Sequence, residues 1–158
     1  MRNVSLEIII AVVPVAAAAL LGNIATMPNI PTWYASLAKP SFNPPNWIFG
    51  PIWAVLYAMM AYAFYRVLTS TEGRWTTVAV VLFLIQIALN AAWSWVFFAG
   101  HNPRGGLVTI LALWVAIALT AFSFWQIDQI ASALLWPYLG WVTFAAVLNW
   151  EITRLNAS

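Results

Sequence analysis

Gln86, Asn90, Trp93 and Phe97 recur at intervals of three and four residues. So do Phe49, Trp53 and Tyr57, and again Tyr138, Trp141, Ala145 and Leu148. On a helix such intervals bring side chains onto one face. Each set is then a stripe of flat rings that also carries amide or phenol groups. Residues of these types stack on planar apolar molecules and offer neutral hydrogen bonds. Turned inward together, the stripes would line an amphipathic pocket for a flat aromatic ligand. The same spacing also serves ordinary helix–helix packing with polar groups bonded across helices. Spacing alone leaves both readings open.

Acid–base and metal chemistry have little to work with. The charged residues are Arg2, Glu7, Lys39, Arg66, Glu72, Arg74, Arg104, Asp128, Glu151 and Arg154, and none sits in the middle of a long apolar run. Proton relays, ion-coupled pumps and voltage sensors need ionisable groups at that depth. General acid–base catalysis by a carboxylate or histidine within a bilayer needs them too, so no catalytic residue is assigned. There is no cysteine, which removes thiol chemistry. His101 is the one histidine, too few for a protein-built metal site. It is either one axial ligand to a haem iron or a solvated loop residue.

The elements that would position these groups follow from composition. Hydrophobic residues make up 64% of the 158-residue chain and charged residues 6%, against about 25% charged in soluble domains. A soluble globular fold, disorder, a disulfide scaffold and a nucleic-acid-binding domain are excluded, since scattered Lys and Arg make no phosphate patch. The charges leave five uncharged intervals, Ile8–Ala38, Pro40–Tyr65, Trp75–Pro103, Gly105–Ile127 and Gln129–Trp150. Each is long enough for one span of roughly 20 residues and too short for two. Runs such as Ile8–Val13 do not alternate, so a β-barrel is excluded and the spans are helical. The expectation is an all-α integral membrane protein, one domain over 1–158, with helices at about 5–26, 46–68, 76–98, 105–126 and 130–152. Three short connections predict antiparallel neighbours. The first connection, 27–45, is long and rich in Pro and aromatic residues, carrying Pro28, Pro31, Pro40, Pro44 and Pro45. It is expected to cap one mouth of the bundle, with a helical turn at Thr32–Leu37.

Finer features say less. Arg2 followed by an apolar run and Ala17-Ala18-Ala19 also has the outline of a signal peptide, against which stand Glu7 and the length of the run. Lys and Arg divide evenly between the two sides, so the positive-inside rule gives no orientation. Trp47, Trp75, Trp125 and Trp150 suit an interfacial belt, whereas Trp53, Trp93, Trp114 and Trp141 lie deeper and need partners for their indole N–H groups. Ala112, Ala116 and Thr120, with Ala88 and Ala92, give a weak oligomer signal.

One run is compositionally odd. It carries Trp33-Tyr34, Leu37, Lys39-Pro40, Phe42, Pro44-Pro45, Trp47, Phe49, Pro51, Trp53 and Leu56-Tyr57. Two others are Leu89-Asn90 with Trp93-Ser94-Trp95 and Phe97-Phe98, and Pro137-Tyr138-Leu139 with Trp141, Phe144-Ala145 and Leu148-Asn149. Together they resemble the tryptophan-rich sensory protein family, also known as the TspO/translocator protein or peripheral benzodiazepine receptor family. The resemblance implies a five-helix bundle, usually a homodimer. It implies a membrane receptor that binds tetrapyrroles such as protoporphyrin IX and haem, or related flat ligands, in tetrapyrrole and stress regulation. Two alternatives come with it, light-dependent breakdown of bound porphyrin and transport of porphyrin or sterol. No cofactor is obligatory, and any photochemistry would belong to the pigment and oxygen. The family's pocket positions map here onto Tyr34, Pro44, Phe49, Trp53, Tyr57, Asn90, Trp93, Trp141 and Ala145. Lys39 would meet a propionate at the mouth, and His101 would be the axial ligand. Tyr57 stands where other members often carry Phe. The sterol motif of animal members is broken, because Trp150 stands where its Tyr would be between Leu148 and Arg154. That argues against sterol and for a bacterial-type member in a cell-envelope membrane.

Overall fold

A computed structural model describes residues 3–157. Arg2, one of the basic residues weighed for orientation, lies outside them. The chain forms α1 (Val4–Thr26), α2 (Asn46–Thr69), α3 (Thr76–Ser94), α4 (Pro103–Trp125) and α5 (Gln129–Leu155). All five regions are long and apolar enough to cross a membrane. Large apolar side chains point outward along them, among them Ile9, Leu20, Val55, Val108 and Phe122. That is the surface expected of helices solvated by lipid.

Local chemistry sets the helix ends. Asn3 Oδ1 accepts from Leu6 N–H, Asn102 Oδ1 from Gly105 N–H at 2.9 Å, and Asp128 Oδ1 from Ile130 and Ala131 N–H. Each satisfies amide donors that a first turn leaves unpaired. Pro103 takes the first position of α4, where its missing N–H costs nothing. The expected end of α3 was Phe98. Instead the helix widens into a π-helical turn, Trp95–Ala99, closed by Gly100 N–H donating to Trp95 O at 2.7 Å. A Cβ on Gly100 would stand 2.7 Å from Val96 O, so this close approach requires glycine.

The helices close into a ring in the order α1, α2, α5, α4, α3. Here the expectation from short connections fails in one place. α2 and α3 are joined by a short link yet touch only lightly, because α1 packs against both. One end of the bundle is filled. Phe64 stacks on Phe83 with centroids 4.0 Å apart, and Phe83 lies 6.0 Å from Phe124, all three with no exposure. At that end Arg66 Nε donates to Asp128 Oδ2 at 2.8 Å, tying the last turn of α2 to the cap of α5. Burial raises the pKa of Asp128, but the bonds from Arg66 and from its own helix amides outweigh it and leave the group below the usual carboxylate range.

The first connection runs from 27 to 45 and is partly helical. Its π-helical turn, Ile30–Tyr34, continues helically through Ser36, starting two residues before the expected Thr32–Leu37 and covering most of it. Two attachments hold it, and one bond closes within it. Asn156 and Ala38 exchange two hydrogen bonds, at 2.9 and 3.0 Å. His101 stacks on Trp33 at 4.7 Å and its Nε2 lies 2.8 Å from Asn29 Oδ1. Tyr34, 4% exposed, donates to Asn43 Oδ1 at 3.0 Å. Burial raises the pKa of the Tyr34 phenol, partly offset by that bond.

Candidate functional site

At the other end the ring is open inside. Side chains of α1, α2, α3 and α5, with Met27, Ile30 and Tyr34 of the first connection, surround a cavity of about 610 Å³. α4 contributes nothing to the lining and closes the ring from behind. The volume falls within the roughly 300–1,000 Å³ of small-molecule sites. The lining is mostly apolar, rich in aromatic residues, and carries no charged residue.

Each aromatic stripe supplies a wall. From α2 come Phe49, Trp53 and Tyr57, spaced a turn apart as the sequence predicts. Trp53 packs against Tyr57 at 5.5 Å and edge-on to Tyr138 at 6.2 Å. From α5 comes Trp141, which meets Phe49 edge-on at 5.8 Å, with Ala145 one turn further on. From α3 come Asn90 and Trp93, and from the π-helical turn after it Phe97, stacked on Trp93 at 5.3 Å. Trp93 Nε1 donates to Asn149 Oδ1 at 3.0 Å, and Asn149 Nδ2 donates to Pro103 O at 2.8 Å. The indole wall is thereby tied to the start of α4.

The polar groups at the foot of the cavity form a chain. Tyr57 O–H donates to Asn90 Oδ1 at 2.8 Å. Asn90 Nδ2 donates to the Tyr138 oxygen at 2.8 Å, and Tyr138 O–H donates to Gln86 Oε1 at 2.9 Å. Tyr57 and Asn90 line the cavity, while Tyr138 and Gln86 lie in the packed core behind it. Buried polar groups bonded in series hold one another in place.

The two readings left open by spacing are thus both realised, at different residues. Tyr34, Phe49, Trp53, Tyr57, Asn90, Trp93, Trp141 and Ala145 all reach the cavity. Tyr138 and Gln86, grouped with them by periodicity, pack instead between helices. Trp114 is neither: it lies on the outer surface and donates to Thr143 Oγ1 at 2.8 Å. Three residues singled out from the sequence stand outside the lining. Pro44 belongs to the chain entering α2 and does not reach the cavity. Lys39 Nζ donates to Leu37 O at 3.0 Å and sits 4.7 Å from the centre of the Tyr34 ring. His101 stacks on Trp33 and lies against Asn29, and it does not line the cavity.

The sequence reading missed the contribution of α1, which brings Ala19, Gly22, Asn23 and Thr26 to the wall. Small or singly polar residues in an apolar helix carry no signal of their own. The exposed part of the lining, Asn23, Met27, Asn46, Trp47, Gly50 and Ala54, belongs to α1, α2 and the segment between them. The cavity therefore opens on that side of the ring.

Residues 10–155 match the model of the TspO/MBR family. The chain belongs to that family. It is 47% identical over 131 residues to a tryptophan-rich protein TspO from Chlorobaculum tepidum, covering 82% of this chain and 83% of that one. An archaeal tryptophan-rich protein TspO, from Archaeoglobus fulgidus, is 40% identical over 153 residues, 96% of this chain and 98% of the relative. The human translocator protein is 41% identical over 127 residues, 78% of this chain and 75% of the relative. In this TspO/MBR member the aromatic cavity lies within the matched region.

Proposed function

We propose that this chain is a membrane binding protein for planar, largely apolar ligands of the tetrapyrrole class, protoporphyrin IX or haem, acting in tetrapyrrole or stress sensing. One observation carries the reading. Trp53, Trp93 and Trp141, from three different helices, meet around a single cavity of about 610 Å³. Rings set in this way suit a large flat apolar plate. The absence of charge on the lining fits the same ligand, because a propionate would stay at the mouth. There Lys39 would meet it by exchanging its bond to Leu37 O for a carboxylate.

The first connection acts as a cover in this reading, held by Asn156 and His101. The chain works as one domain in a bacterial cell-envelope membrane, as a homodimer. The broken motif at Trp150 speaks against sterol as its ligand.

Titration of protoporphyrin IX by quenching of tryptophan fluorescence tests the proposal. Trp53→Ala and Trp141→Ala are each expected to weaken binding by about 1–3 kcal/mol, the scale of a lost aromatic contact. Unchanged titrations for both variants would refute it.

A further inference from the structure

Two hydroxyl groups on the cavity wall converge on one glycine. A methyl group placed on Gly22 of α1 would lie 3.4 Å from Ser94 Oγ and 3.9 Å from the Tyr57 oxygen. All three residues line the cavity. The space beside Gly22 is therefore bordered by both hydroxyls.

Their hydrogen-bonding states differ. The Tyr57 proton is committed to Asn90 Oδ1, whose amide nitrogen is in turn committed to Tyr138. Tyr57 is left with acceptor capacity and no proton to give. Ser94 is 8% exposed, and its hydroxyl makes no hydrogen bond to any described residue. A serine within a helix commonly bonds back to the carbonyl four residues earlier, and Ser94 does not. Its proton is available. An acceptor and a donor thus border one small gap, in a wall whose other polar side chains are the amides of Asn23, Asn46, Asn90 and Asn149 and the hydroxyl of Thr26.

We propose that this gap is a recognition subsite for a neutral ligand group that both donates and accepts a hydrogen bond, a hydroxyl or a lactam edge. The proposal rests on the reading of the cavity as a ligand pocket and adds what the buried end of the ligand carries. A hydroxyl would donate to Tyr57 and accept from Ser94. A lactam would do the same with its N–H and C=O. A plain hydrocarbon edge would leave both protein hydroxyls unpaired, which costs binding free energy. A carboxylate would enter a wall with no cation and lose its hydration without replacement. The subsite thus sets the sense of insertion, neutral polar edge inward and ionised groups toward the mouth.

The test uses the full chain in detergent and three bicyclic probes of similar size, 2-naphthol, 2-quinolone and 2-methylnaphthalene. Equilibrium dialysis gives the dissociation constant of each for the wild type, Ser94→Ala, Gly22→Ala and Trp53→Ala. The ratio of variant to wild type cancels partition of the probe into micelles. Ser94→Ala removes the donor, and Gly22→Ala fills the gap at ordinary contact distance. Each is expected to weaken 2-naphthol and 2-quinolone by about tenfold, the size of one net hydrogen bond. Binding of 2-methylnaphthalene should stay within about twofold, a span well below one such bond. Loss for the naphthol alone or the quinolone alone supports the proposal and selects between the two groups. Equal changes for all three probes, or none, overturn the subsite. In that case, loss of all three with Trp53→Ala leaves the pocket standing, and no change with Trp53→Ala removes the pocket as well.

Discussion

Gly106 of α4 never touches the cavity, yet replacing it should alter the cavity wall. A Cβ there would stand 2.9 Å from Phe97 Cδ2, 3.0 Å from Asn149 Oδ1 and 3.1 Å from Phe97 Cβ. Phe97 is 2% exposed and packed between Trp33, Trp93 and Phe98, so it has little room to yield. Asn149 can yield only by giving up Trp93 Nε1 or Pro103 O. Two effects oppose each other in Gly106→Ala. Helix propensity favours alanine by up to about 1 kcal/mol, less in a first turn. Overpacking a filled site costs about 1–3 kcal/mol. The steric cost wins, and the expected net destabilisation is about 1–2 kcal/mol. Chemical denaturation in detergent measures it. Because Trp93 loses its anchor, protoporphyrin affinity should also fall, by about fivefold, near 1 kcal/mol. A variant more stable than wild type with unchanged affinity would mean that propensity alone decides, and the reasoning about Asn149 would be refuted.

Other perturbations separate the parts of the fold. Asn90→Leu takes the acceptor from the Tyr57 O–H and the donor from the Tyr138 oxygen and should destabilise by about 1–3 kcal/mol; Tyr57→Phe, which removes only the end of the chain of bonds, should cost less by the same denaturation assay. The folded-state pKa of Asp128 lies below its unfolded value, so its contribution to stability is complete above the ordinary carboxylate range and is lost as pH falls through the folded value. The difference in melting temperature between wild type and Asp128→Asn should therefore vanish in acid. Asp128→Ala, which also removes the helix cap, should lose about 1 kcal/mol more than Asp128→Asn at neutral pH. His101→Ala removes both the ring stacked on Trp33 and the bond to Asn29. It should speed proteolysis within 27–45 while circular dichroism of the helices stays unchanged.

What the sequence made legible, and what it hid, divides by physical cause. The five spans were readable because charge is excluded from hydrocarbon, and ten charged residues marked where the chain leaves it. The walls formed by Phe49, Trp53 and Tyr57 and by Asn90 and Trp93 were readable because bulky and polar groups repeat at helical intervals. The ring order was not. Lipid and protein core are both apolar, so periodicity cannot distinguish the face that meets α2 from the face that meets lipid. For the same reason Trp114 resembled Trp93 in sequence while facing outward. α1 was silent at Gly22 because what it contributes is space. The π-helical turn at Trp95–Ala99 depends on a carbonyl approaching Gly100, which no side-chain pattern announces.

The reciprocal pairing of Asn156 with Ala38 joins positions 118 residues apart in the chain. Residues near a C-terminus can usually be trimmed without consequence. Here a chain cut after Leu155 would lose both bonds to Ala38 and unlatch the first connection, and the on- and off-rates of the proposed ligand would respond.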